Sequence, residues 1–356
     1  MMPYYLLILL PMLIALIRHR WVVRIHTEPV KDGKNTEIAV FFGIMLLLLM
    51  FRGAECGTDT SRYALLYSVA DGQDWGQIFS SGREIGYSLL NKLLRQISPN
   101  PLLLFVVTSA MMLVPLARFY IRESEIPVLT IVLFATIAPF NMYFSGIRQA
   151  IAMALIFPAW QFTKEKRWGY FLLTVLLATL FHKSAFILLF VYPLYHFRIT
   201  AKRLYFVVPF VLAVYLYNDV IFDFFAQWLW EDYTGTDSTG ATTVLLLLII
   251  FMVYAFMIPD EQSMDSDLMA MRNMLVLSVA LQCFAPVHAL AMRLNYYYLP
   301  FIPVLIPKIA NRCKPRFRSA THISIVVMYV FFLLYFFVRA GGADPLGIYP
   351  YVPFWK

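Results

Sequence analysis

The chain is dominated by long apolar runs that contain no charge, such as residues 38–51 and 243–258. Hydrocarbon offers a backbone no hydrogen-bond partner, so only a helix or a closed barrel can cross it. Barrel strands alternate apolar and polar residues, and these runs do not. The runs fall at 3–17, 38–51, 100–117, 126–144, 147–163, 168–181, 184–197, 204–217, 241–258, 273–290, 296–311 and 319–338. A span takes roughly 20 residues, so several would need tilt or burial in protein. The whole chain is 61% hydrophobic and 14% charged, against about 45–50% and about 25% in soluble domains. These features exclude a soluble enzyme, a secreted disulfide scaffold, a disordered chain and an outer-membrane barrel. They predict an all-α fold: a polytopic membrane helix bundle of about 12 transmembrane helices, forming one integral membrane domain over residues 1–356.

The formal charge of +8 is read by side of the membrane, not as a sign of nucleic acid. Loops between successive spans alternate sides, and Lys and Arg favour the cytoplasm. With both termini outside, the inner segments 18–37, 118–125, 164–168, 198–203, 259–272 and 308–318 hold 19 of the 29 Lys and Arg residues. Cys56 then lies outside, Cys283 in a span and Cys313 inside, so no internal disulfide is expected. Residues 3–17 precede their basic flank, the reverse of a cleavable signal, and read as a retained span. Two outer segments, 52–99 and 218–240, carry amphipathic helix patterns. In the first, Ile85, Leu89, Leu90, Leu93, Leu94 and Ile97 form an apolar side opposite Glu84, Ser88, Asn91 and Arg95. The second holds Asp219, Asp223, Glu231 and Asp232, the Trp228 and Trp230 pair, and a turn-forming stretch at 234–240.

Ionisable residues gather at the span ends on the outer face, where cations are otherwise scarce. Five stretches stand out. Residues 52–59 run from Arg52 to Asp59, with Tyr63 and Tyr67 following at helical spacing; Asp59 also suits a helix cap. Residues 83–87 with Asn91 contain Glu84. Residues 141–152 run from Asn141 through Arg148 and Gln149. His182 and Lys183 occupy the turn at 181–185. Arg293 precedes Tyr296, Tyr297 and Tyr298, three tyrosines that by themselves read as an interfacial belt.

In their order and spacing these stretches resemble the EpsG-type family of bacterial polysaccharide polymerases, relatives of the Wzy O-antigen and capsule polymerases. The resemblance rests on Arg52-Gly53 followed by Gly57, Asp59 and Tyr63, on Glu84, Gly86, Tyr87 and Asn91, on Ile147-Arg148-Gln149 with Ala152, on Phe181-His182 with Ser184-Ala185, on Arg293 before tyrosines, and on Tyr349-Pro350-Tyr351. The chain departs from the family in an Ala54-Glu55-Cys56 insert. The resemblance implies a GT-C-like membrane glycosyltransferase with a lipid-linked donor. Such enzymes join O-antigen, capsule or exopolysaccharide repeat units carried on undecaprenyl pyrophosphate. They work at the outer face of the bacterial cytoplasmic (cell inner) membrane. The growing glycan moves onto the non-reducing end of the incoming unit. Implied partners are the lipid-linked oligosaccharide donor and acceptor, membrane lipids and a chain-length regulator protein; no cofactor, metal or nucleic acid is implied.

The residues suit that chemistry on their own terms. A departing pyrophosphate gains negative charge, and fixed guanidinium forks stabilise it. Arg52, Arg148, Arg293 and Lys183 are the candidates, with the three arginines expected at one site. A sugar hydroxyl needs a base; His182 and Glu84 are both candidates, Glu84 with its pKa raised by partial burial, and Asp59 would orient an Arg or a sugar. Tyr63, Gln149, Asn141 and Tyr297 are the candidates for holding the glycan. Other readings are a transferase using polyprenyl-phosphate sugars through Glu231 and Asp232, an O-antigen ligase, and, from another class, a lipid-linked oligosaccharide transporter or flippase. A nucleotide-sugar enzyme would want the Asp265-Ser266-Asp267 motif, which reads as a solvated acidic loop. Transporters place ionisable groups near the midplane, whereas here the mid-span positions are nearly free of charge.

Overall fold

The computed structural model describes residues 1–18, 35–80, 84–137, 139–229, 241–287, 289–340, 344 and 346–355. Arg83, Trp230, Glu231, Asp232 and residues 234–240, all singled out above, lie outside these, as does the Trp228 side chain. The regular structure of the described residues is all helical, with no strand among them. Helices α1 (Met2–Ile17) and α2 (Thr36–Met50) lead into the first outer segment, which folds as α3 (Thr60–Val69), α4 (Trp75–Ser80) and α5 (Ile85–Ile97). Next come α6 (Leu102–Glu123), α7 (Pro127–Thr136), α8 (Phe140–Ser145), α9 (Ile147–Ala154), α10 (Ile156–Lys164) and α11 (Trp168–Phe181). A 3-10 segment (Lys183–Phe190) continues into α12 (Val191–His196), followed by α13 (Leu204–Leu216) and α14 (Asn218–Leu229). The chain then forms α15 (Ala241–Met257), α16 (Ser266–Gln282), α17 (Ala289–Asn295), α18 (Ile302–Asn311) and α19 (Arg318–Ala340).

All twelve predicted apolar runs are helical at least in part, but few form one straight rod. Run 126–144 breaks into α7 and α8 before Pro139, and run 147–163 into α9 and α10 at Leu155. Two helical stretches, 102–123 and 315–338, are long and apolar enough to cross a membrane alone. Helices α13 and α14 meet at 75° and form a third candidate, and five shorter apolar helices accompany them. A 14-residue helix such as α11 rises only about 21 Å, short of a roughly 30 Å hydrocarbon core. Such helices rely on neighbours or on tilt.

Helix α7 is the centre of the bundle: every one of its ten residues is buried, as expected of a helix apolar on all sides. It packs on α1, α2, α18 and α19. The outer faces are apolar instead of polar. On α13 only Val214 is buried, while Tyr205, Phe206 and Phe210 are exposed, and α19 exposes Val327, Phe331 and Leu334. Large apolar surfaces of this kind belong against lipid.

Contacts between loops sort into two ends of the bundle. At one end, Asn35 Nδ2 donates to the Ile121 and Ser124 carbonyls, both at 2.9 Å. There Lys308 pairs with Glu123 at 2.5 Å, Arg312 with Glu125 at 2.9 Å, and Lys164 with Asp267. The Asp265-Ser266-Asp267 motif is not a free acidic loop. Asp265 caps α16 through Leu268 N at 2.7 Å, and Asp267 also accepts from the Tyr195 hydroxyl at 2.5 Å.

The other end gathers the stretches picked out for chemistry. The Ala54-Glu55-Cys56 insert makes an outward turn: Ala54 and Glu55 are exposed, and Cys56 is fully buried. Residues 346–354 lie across this loop as a strap. Gly53 N donates to Val352 O at 2.7 Å, Phe354 N to Phe51 O at 2.8 Å, Gly57 N to Gly347 O at 2.8 Å and Thr58 N to Leu346 O at 2.9 Å. The Tyr4 hydroxyl of α1 donates to Ile348 O at 2.7 Å.

Helix α5 is present as predicted, and its buried face draws on both the apolar and the polar side. Tyr87, Asn91, Lys92 and Leu94 are buried, whereas Leu93 and Ile97, assigned to the apolar side, are exposed. The reason is that α5 packs on α3, α4, α6 and α11, so protein contacts, not the apolar stripe, set its rotation. The strap generates a test. In a Cys283→Ser/Cys313→Ser background, Cys56 should resist a maleimide probe in the folded protein. Ending the chain at residue 343 should expose it, and equal labelling of both forms would show that the strap does not cover this loop.

Candidate functional site

Three segments distant in sequence meet at the Glu84 carboxylate. Glu84 stands at the N-cap position of α5 with an extended backbone, yet its side chain makes no cap hydrogen bond. Its Oε1 faces His182 Nδ1 at 2.9 Å, and its Oε2 accepts from Arg148 Nη1. Gly86 makes this meeting possible. A Cβ there would lie 2.9 Å from the Leu180 carbonyl oxygen, so only glycine lets the start of α5 touch the end of α11. Glu84 lies two residues before that contact and His182 two residues after it. The His182 turn is held by its own backbone, with His182 N donating to Ala178 O and Ala185 N to His182 O, both at 3.0 Å.

Arg148, in the first turn of α9, places its guanidinium 6.0 Å from the Tyr63 ring centroid, within cation–π range. Its Nε is buried without a partner among the described residues. Tyr63 meets Tyr87 edge to face at 5.5 Å. The loop ahead of α3 is tied to α8, one turn before Arg148: the Thr58 and Ser145 hydroxyls lie 2.7 Å apart, and Asp59 N donates to Ser145 Oγ at 3.4 Å. Gly57 has φ +103°, and a Cβ there would lie 2.8 Å from Phe144 O. The loop can press on α8 only because this residue has no side chain.

The remaining candidates occupy distinct positions. Asp59 is half-buried at the N-cap of α3, and its carboxylate makes no cap bond. Gln149 donates from Nε2 to the Arg293 carbonyl at 2.7 Å, which anchors the end of α17 on α9 through main chain; the Arg293 side chain is exposed, as is Lys183. Tyr297 is fully buried with its hydroxyl 3.0 Å from Ser184 Oγ, and Tyr298 donates to Ile187 O. These two tyrosines brace the His182 turn and are not a lipid belt. Asn141 is buried on α8.

Arg52 is completely buried. Nη1 donates to Leu49 O at 3.3 Å, and the guanidinium lies 5.1 Å from the Phe105 centroid. Nε and Nη2 have no partner among the described residues. A guanidinium stays charged, so this is a buried cation with unused donors. Arg52 and Arg148 both lie within electrostatic reach of Tyr63 and Tyr87. The structure thus joins Glu84, His182, Arg148 and Tyr63 directly. Among the described residues, no contact ties Arg52, Arg293, Lys183 or Asn141 to the Glu84 carboxylate. The sequence reading passed over Gln73, which lines the cleft beside Glu84, Tyr87 and Arg148 together with Ser88 and Asn91. Ser88 and Asn91 follow Glu84 by four and seven residues, a spacing that marks one helix face; nothing in the sequence marks Gln73.

The electrostatics of Glu84 reverse one expectation. Partial burial does push its carboxyl upward, but the hydrogen bond with His182 and the charges of Arg148 and His182 outweigh it and hold the group down at about 2. Glu84 is therefore an ionised anchor near neutral pH, not a base. With Nδ1–H directed at this carboxylate, the His182 ring presents Nε2 as its free acceptor, and any imidazolium formed there faces a counter-charge.

A helical bundle with lipid-suited outer faces and an ion cluster at one end defines a polytopic membrane protein. The EpsG family profile matches residues 37–352, and the chain belongs to that family. Membership puts it among membrane proteins of the polysaccharide-polymerase type. No curated protein and no solved structure matches the chain significantly.

Gly86→Ala should separate α5 from α11 and lower activity about as much as loss of Glu84, while the chain still reaches the membrane; normal activity would remove the packing argument. The pH dependence follows from the lowered Glu84 carboxyl. Its contribution to stability is fully present above the ordinary value of 4.5 and is lost as pH falls through about 2. The thermal stability advantage of the parent over Glu84→Gln should then shrink as pH falls from about 4.5 towards about 2, as read by thermal unfolding in detergent.

Proposed function

We propose that the protein is a polysaccharide polymerase of O-antigen, capsule or exopolysaccharide type. It would transfer a growing glycan from undecaprenyl pyrophosphate to the incoming lipid-linked repeat unit, at the outer face of the cytoplasmic membrane. The observation that carries this reading is the Glu84 carboxylate holding His182 on one oxygen and Arg148 on the other. The acceptor hydroxyl attacks the anomeric carbon of the donor, and its proton goes to His182 Nε2. The bond from that carbon to the pyrophosphate oxygen breaks, and its electron pair leaves with the pyrophosphate. Glu84 keeps Nε2 aimed outward and stabilises the imidazolium. Arg148 and Arg52 meet the charge growing on the leaving group; Arg52 has two donors free for it. Lys183 and Arg293, exposed at this end, are the further candidates for holding phosphate. Tyr63, Gln149, Asn141 and Tyr297 support the approach of the sugars from buried positions, and Asp59 orients one of the sugars.

The location of the cluster supports transfer over transport, because Glu84, Arg148 and His182 stand at one end of the bundle beside the 52–59 loop and its strap, not midway along it. His182→Ala should reduce polymerisation by about 10²–10⁴-fold while binding of lipid-linked substrate is kept, the pattern of an interaction made in the transition state. Arg52→Lys should retain only part of the activity, since an ammonium lacks the fork of donors. A strain without the protein should accumulate one complete repeat unit on its lipid carrier. An incomplete unit, or finished polymer awaiting ligation, would overturn the reading.

A further inference from the structure

The far end of α11 carries a second polar site. Helix α11 separates it from His182 by about 20 Å. An open cavity of about 310 Å³ lies there between the α10–α11 turn, the end of α12 and the first turn of α16. Its walls include Lys164, Lys166, His196, Arg198, Tyr195 and Ser266. The carboxylate of Asp267 is committed to Lys164 and to the Tyr195 hydroxyl. The nearby Glu165 is engaged by Gln161 and Arg167. Lys166 and Arg198 are exposed and make no ion pair among the described residues. Lys166 adopts φ +57° where α10 ends. That conformation is unfavourable for a lysine, and here it puts the residue at the rim of the cavity.

The surroundings of the cavity are apolar. Trp168, Tyr170 and Phe197 are exposed beside it, and Leu172, Leu173 and Leu176 continue as an exposed ridge along α11. A free anion would need the cations alone, whereas an amphiphile with an anionic head would use both the cavity and the ridge. Aromatic side chains at such a boundary match the headgroup level of a bilayer, and basic pockets between helices suit phosphate-bearing headgroups.

We infer that this cavity is a binding site for the headgroup of an anionic phospholipid, with Lys166 and Arg198 meeting the phosphate and the acyl chains lying on the Trp168–Leu176 ridge of α11. The site is separate from the Glu84 cluster. Native mass spectrometry of the purified full chain, with phosphatidylglycerol and phosphatidylcholine as probes, tests the inference. Phosphatidylglycerol should be retained in preference to phosphatidylcholine. Lys166→Glu/Arg198→Glu should weaken that retention by about tenfold or more. The charge-keeping Lys166→Arg/Arg198→Lys should preserve it. Arg316→Glu/Arg318→Glu, which reverses exposed charge elsewhere, should leave it unchanged. Equal retention of the two lipids, or no loss in Lys166→Glu/Arg198→Glu, would overturn the inference. So would full displacement of phosphatidylglycerol by an equal concentration of inorganic phosphate, which would make this a site for free anions.

Discussion

The candidate site depends on one carboxylate that serves two partners. Glu84 lies 64 residues before Arg148 and 98 before His182, so the arrangement exists only when three separate parts of the bundle are in register. A buried carboxylate with a single partner would leave one oxygen unsatisfied, at a cost of about 1–3 kcal/mol or more. With His182 on one side and Arg148 on the other, both oxygens are satisfied. The cluster is also selective about what it spends: Glu84 is fully engaged, while the His182 Nε2 and the Arg148 Nε are left for something else.

The two ends of the bundle handle charge differently. At the end formed by residues 121–125, 164–167 and 259–272, Glu123 takes Lys308, Glu125 takes Arg312, and Asp267 takes Lys164. Even the fully buried Arg272 has a carbonyl at 2.6 Å and reaches Glu261 at 3.4 Å. At the other end Arg52 is as deeply buried but has one backbone contact and idle donors. Burying a cation without a counter-charge costs several kcal/mol. Among the described residues Arg52 therefore contrasts with the completed ion pairs of the opposite end.

Much of the fold was legible because the bilayer imposes a simple rule on the sequence. Each apolar run became helical, and the segments predicted to alternate did collect at two ends. Both helix breaks were legible at prolines. Pro139 announces the division between α7 and α8, and Pro158, which has no N–H to give the Ala154 carbonyl, announces the one at Leu155. The rotation of α5 was not legible: the stripe marks an apolar side, whereas packing buries Tyr87 and Asn91 together with Leu94. In the site, Arg148 and His182 were visible as odd ionisable residues at span ends, and Glu84 as the acid of a short stretch in the outer segment 52–99. Their mutual contacts were not, because pairings across 64 or 98 residues leave no periodic trace. The two glycines that allow the contacts, Gly57 and Gly86, were visible as letters, but their purpose emerges only from the backbone pressed against them. The ionisation of Glu84 was misread for a related reason: burial could be guessed from sequence, and its compensating partners could not.

The strap across the Arg52 loop also bears on how the protein is made. Residue 353 pairs with residue 52, some three hundred residues later in synthesis. At ribosomal rates of about 5–20 residues per second, Arg52 waits roughly 15–60 s for its cover. Through that interval the apolar runs can enter the membrane while the loop stays unfinished and open to solvent. A chain interrupted before the strap would thus be inserted and still have an uncovered Arg52 loop. Closure of the Arg52 loop is gated by synthesis of the strap as well as by insertion.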